Sequence, residues 1–160
     1  MFVTGLGLGA SGTSSTKLTA KLVARGEVPP AKGAAGATGL FTASLSGRSL
    51  TWRLTFSHLT GRALAAHIHL GKAGVAGPVV VPLCGPCVSG VHRQVTVTAK
   101  VRTALLARGA LEYVNVHTAK NPGGEIRGQV LGGTASFTST GQAGTTGTTT
   151  DSGGYGGGYG

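Results

Sequence analysis

Along most of the chain, apolar and polar residues alternate in runs too short for helices, and glycine, proline or serine breaks each run. Leu18, Ala20 and Leu22 alternate with Lys17, Thr19 and Lys21, which predicts a first strand over 17–24. Pro29 and Pro30 then end pairing, because proline brings no donor to a ladder. Phe41, Ala43 and Leu45 keep the same period before Ser46-Gly47-Arg48, and Leu50, Trp52, Leu54 and Phe56 keep it afterwards. That predicts a hairpin whose apolar faces form the heart of a core. Short strands follow at 65–70 and 78–83, and Val91, Val95 and Val97 alternate with outward His92, Gln94, Thr96 and Thr98. Only 101–108 carries a helical pattern, which Gly109 stops. Strands at 110–117 and 125–131 flank the turn Asn121-Pro122-Gly123-Gly124. The expected fold is all-β: a Greek-key or immunoglobulin-like antiparallel β-sandwich with one short helix.

The pattern divides the chain into a core over 17–131 and two ends of different character. In 1–16, Phe2, Leu6 and Leu8 alternate with glycines ahead of a Ser/Thr/Gly linker. Such a segment suits addition to a sheet edge of a neighbouring copy, and it equally suits a leader remnant or an unstructured terminus. Residues 132–160 turn to Gly, Thr and Ser, with Tyr155 and Tyr159 spaced in glycine. This composition cannot fold alone, and its tyrosines suit packing between copies.

Charge narrows the partners. Fourteen Lys and Arg against four acids give +10, which favours acidic surface polymers as neighbours. The basic residues are scattered without an aromatic platform or a recognition helix, so specific nucleic-acid binding is not expected. No apolar run is long enough to span a membrane. Cys84-Gly85-Pro86-Cys87 has the spelling of a redox motif, yet a strand follows it where such motifs open a helix. The expectation is a Cys84–Cys87 disulfide across a turn, which points to an oxidising, extracytoplasmic setting.

The candidate chemistry lies in Ala65-Ala66-His67-Ile68-His69-Leu70. On a strand, His67 and His69 share a face about 6–7 Å apart, close enough to converge on one ion. His117 takes the same phase in Tyr113-Val114-Asn115-Val116-His117, opposite the valines. Three imidazoles suit copper or, as the alternative, zinc. His92 is a candidate fourth ligand, and Tyr113 and Asn115 share the metal-facing phase. The bland alternative is a face of solvated histidines. Glu125 and Arg127 read as an ion pair or hydrogen-bonding set, and no nucleophile accompanies them to make an enzyme.

Taken together, Glu27-Val28-Pro29-Pro30, His67-Ile68-His69, Gly77-Pro78-Val79-Val80, Gly109, Tyr113 to Thr118 and Pro122 to Gly128 resemble the chordin-type (CHRD) domain in kind and order. The resemblance covers 17–131. It implies an extracellular β-sandwich module, present in animal chordin and in microbial secreted proteins, without an established catalytic mechanism. The three histidines also look like the copper face of Cu/Zn superoxide dismutase. That analogy lacks a bridging histidine and its partner aspartate, since Asp151 lies in the tail. The expected function is an extracellular, self-assembling structural protein that binds copper. A soluble copper carrier is the alternative, ahead of a dismutase-like enzyme.

Overall fold

The computed structural model describes residues 14–137. Nine strands form in chain order: β1 (Ser14–Val23), β2 (Thr38–Ser46), β3 (Ser49–Ser57), β4 (Ala65–Leu70), β5 (Val79–Cys84), β6 (Val91–Thr96), β7 (Glu112–His117), β8 (Ile126–Gln129) and β9 (Leu131–Phe137). One α-helix, α1 (Ala99–Leu106), lies between β6 and β7. The strands run in the order β5-β4-β7-β8-β1-β2-β3-β6, with β9 also on β1. All strand pairs are antiparallel.

Chain length forces this sheet to fold over. A flat sheet would place β5 and β6 seven strand spacings apart, about 34 Å. The connection 85–90 between them reaches at most about 25 Å when fully extended. The strands therefore curl into two facing layers, hinged where β1 meets β8 through the single pair Val23–Arg127. Between the layers lies one core: Leu18, Leu22, Phe41, Leu50, Trp52 and Leu54 from one side, Ile68, Val81, Val114, Val116 and Ile126 from the other. Phe41 and Trp52 stack at 6.4 Å, which makes Trp52 a packing residue. Each such side chain contributes roughly 1.5–3 kcal/mol by leaving water. The predicted hairpin forms, with Ser46 opposite Ser49 and Gly47 at a positive φ of 55°.

Three boundaries move. The helix occupies 99–106, where 101–108 was expected, because the Thr98 hydroxyl caps it by accepting from the Val101 amide. The expected closing strand 125–131 is two strands: β8 pairs with β7, the chain crosses at Val130, and β9 pairs with β1. Strand pairing also runs past both expected ends of the core, from Ser14 to Phe137, because ladder hydrogen bonds need backbone and not apolar side chains. Phe2, Leu6, Leu8, Tyr155 and Tyr159, the residues expected to pack between copies, lie outside the described residues. Among the described residues, no helix is long and apolar enough to cross a membrane.

Cys84 and Cys87 form a disulfide across the turn after β5, with their Cα atoms 5.3 Å apart. The Cys87 amide donates to the Ala63 carbonyl and ties this turn to the strand that carries the histidines.

Candidate metal centre

Strands β4 and β7 are neighbours, with His67 opposite Asn115, His69 opposite Tyr113 and Ala65 opposite His117. The alternation that sends Ala66, Ile68, Val114 and Val116 into the core sends the three histidines to the other face. There they meet. One nitrogen from each of His67, His69 and His117 lies within 4.8 Å of the others. Metal–nitrogen bonds of about 2.0–2.1 Å place three ligand nitrogens about 3.5 Å apart, so the rings need to close by about an ångström to share an ion.

Hydrogen bonds define which nitrogen each ring offers. His69 Nδ1 donates to the Gly77 carbonyl at 2.8 Å, and His117 Nδ1 donates to the Pro122 carbonyl at 2.9 Å. A carbonyl can only accept, so both rings carry the proton on Nδ1 and turn a lone pair on Nε2 toward the cluster. His67 Nδ1 lies 3.1 Å from His117 Nε2. His67 therefore donates to His117, and an ion held by His67 Nδ1 would require that proton to move to Nε2. His69 Nε2 is buried with no hydrogen-bond partner.

The electrostatics favour neutral ligands. Burial, then the neighbouring His117 and His69, lower the His67 imidazole from 6.5 to about 4. Burial also lowers His117. His67 thus keeps its lone pair available in mildly acidic solution, and His117 is shifted the same way.

The face around the imidazoles is built, not solvated. Tyr113 stacks on His69 at 4.8 Å with the rings 13° from parallel. The Arg127 guanidinium lies 3.3 Å from the centre of the Tyr113 ring, on the face that His69 leaves free. Arg127 is 2 % exposed and donates to the Lys72 and Val75 carbonyls and to Gln129. Tyr113 and Asn115 thus flank the cluster as the strand phase predicted. The phase missed how deeply both are buried, because Gly71 and Gly77 pack on Tyr113 while Gly123 and Glu27 meet Asn115.

Two expectations are corrected. His92 sits on β6, opposite Arg53 of β3, and its nitrogens are not among those that converge, which belong to His67, His69 and His117, so it is not a fourth ligand. Strand phase predicts a face, whereas strand order decides which faces coincide. Glu125 and Arg127 also serve separate networks. The Glu125 carboxylate accepts from the Thr60 amide and hydroxyl, from Thr118 and from Asn121. Burial works to raise Glu125, but the bonds from Thr118, Thr60 and Asn121 together hold it below the usual carboxylate range. His58, exposed at a φ of 56°, is the loop histidine expected.

Sequence reasoning passed over Gly77 and Glu27. Gly77 supplies the His69 acceptor at a point where any Cβ would overlap the Leu70 carbonyl, so no other residue fits there. Its signal was the glycine-rich turn directly after the His-x-His strand. Glu27, 4 % exposed, packs its carboxyl against Gly124, whose φ of 137° leaves no room for a side chain. Burial pushes Glu27 up to about 7, opposed by Arg127 and by hydrogen bonds from Asn115 and the Val28 amide.

The CHRD domain family matches residues 18–130. The chain belongs to the CHRD family. This match spans the strands that build the core and the three histidines, so the centre is part of the CHRD domain itself. No curated protein and no solved structure matches the chain.

Proposed function

We propose that this CHRD domain binds one copper ion through His69 Nε2, His117 Nε2 and His67 Nδ1, as part of an extracellular structural protein that assembles with its own copies. The observation that carries the metal reading is the buried His69 Nε2, left without a partner and turned toward two further imidazoles. A buried polar nitrogen is normally satisfied, and an ion would satisfy this one. Copper is the first choice and zinc the alternative, since imidazole suits both and coordination geometry, not affinity, separates them. The reading is of binding, without a catalytic step.

Assembly is the wider part of the proposal. Ser14 of β1 and Phe137 of β9 are direct partners. Val23, at the other end of β1, pairs beside Arg127 under the cluster, roughly 30 Å from Ser14 at 3.3 Å per residue. The end of the domain where Ser14 meets Phe137 is therefore the one away from the cluster.

The test is metal analysis with electron paramagnetic resonance on the full chain, its His69→Ala variant and a form lacking residues 1–12, each imaged by negative stain. The expected result is one nitrogen-ligated Cu(II) per chain, lost in His69→Ala and kept in the truncated form, with assemblies lost only on truncation. Unchanged copper uptake by His69→Ala overturns the site. Persistent assembly after truncation overturns the donor-strand reading and leaves a copper-binding domain joined to its neighbours by other means.

A further inference from the structure

On the opposite face of the β4–β7 pair from the imidazoles, α1 roofs a cavity of about 310 Å³. Leu70, Val80, Val101 and Ala104 give it apolar walls, Glu112 lies among them, and Lys100 stands at its exposed rim. Glu112 has the strand phase of Val114 and Val116, so β7 delivers it into the interior by the same alternation that fills the core. It is 1 % exposed, and neither carboxylate oxygen has a hydrogen-bond partner.

The contrast with Glu125 gives this its meaning. The same chain surrounds that carboxylate with donors from Thr60, Thr118 and Asn121. Around Glu112 only the backbone is served: its carbonyl accepts from Val130 and from the Gln129 side chain. A buried carboxyl without donors costs several kcal/mol unless something supplies them. Lys100 is exposed, and its flexible stem keeps the ammonium in water.

We propose that the cavity binds a small organic cation, a primary ammonium group on a short apolar body, whose entry shifts the side chains that cover Glu112 so that the ammonium donates to its carboxylate while the body lies against Leu70, Val80 and Val101. The volume lies at the lower end of ligand pockets, about 300–1,000 Å³, and apolar walls with a few polar groups, here Glu112, Thr98 and the rim Lys100, are their usual composition. An ammonium group matches the site because it brings three donors and no acceptor to two unpaired acceptor oxygens. This site is independent of the metal reading.

The experiment is a titration of the full chain with butylammonium, with butan-1-ol and butyrate as matched probes, followed through the amide signals of Val101, Ala104 and Glu112. The expected result is saturable shifts with butylammonium, weaker ones with butan-1-ol and none with butyrate. Glu112→Gln, which keeps the side-chain shape, should weaken butylammonium at least ten-fold. Ala104→Leu, which fills the cavity and leaves Glu112 in place, should abolish binding. Absence of saturable shifts with butylammonium, equal response to the alcohol, or unchanged affinity in Glu112→Gln would each overturn the proposal.

Discussion

His67 Nδ1 and His117 Nε2 face each other at 3.1 Å across two strands that lie fifty residues apart in sequence. Because His117 gives its own Nδ1 proton to Pro122, the short contact requires His67 to be the donor in the metal-free state. Metal uptake at His67 Nδ1 thus requires the ring's single proton to move to Nε2, at a ring that burial already disposes against a second proton.

Uptake of copper should follow from that balance. An imidazole lowered from 6.5 to about 4 stays neutral as pH falls through 6, so protons begin to compete at His67 only near pH 4. In copper-binding titrations across pH 3.5–7.5, the His67 contribution should persist well below 6.5. Half-loss of binding at pH 6.5 would mean that the cluster is as wet as free histidine.

Gly77→Ala tests how the His69 ring is oriented. The added methyl group collides with the Leu70 carbonyl, so the loop must move and the Gly77 carbonyl with it. Removing the group that orients a ligating histidine typically costs about 10–100-fold in metal affinity. Competition titration against a chelator should show a loss in that range. Unchanged affinity would show that the Gly77 carbonyl does not hold the ring.

Glu112 makes stability depend on pH with a definite sign. Burial raises its carboxyl from 4.5 to about 7 in the folded chain. The folded state then holds this proton more tightly than the unfolded state, so the contribution is full below pH 4.5 and is lost as pH rises through 7. His67, lowered, acts oppositely between 6.5 and 4, so the comparison must be with Glu112→Gln. The variant and the natural chain should differ by a constant amount below pH 4.5. By pH 8 the natural chain should have lost stability relative to the variant, of order 3 kcal/mol at about 1.4 kcal/mol per pKa unit. Denaturant unfolding at both pH values measures it, and a difference independent of pH would contradict the burial of this carboxyl.

Much of the fold was legible from period alone. Phe41, Trp52 and Leu54 fall on buried parity because a strand's side chains alternate whatever it pairs with, and Gly47 marks its turn by the positive φ it tolerates. The split at Val130 was not legible, since the residues on both sides carry the same alternation and only the change of partner separates them.

The shared face of His67 and His69 and the matching phase of His117 were determined by the sequence itself, because phase along a strand is a local property of extended backbone. The tertiary structure alone decided that β4 pairs with β7 while β6 pairs with β3, which gathers His117 and removes His92. It also decided that Gly77 and Pro122 present carbonyls to two imidazoles, and that Glu125 meets donors where Glu112 meets none. These are contacts between residues distant along the chain. Local periodicity predicts which way a side chain points, and only the packing of strands and loops determines what it finds there.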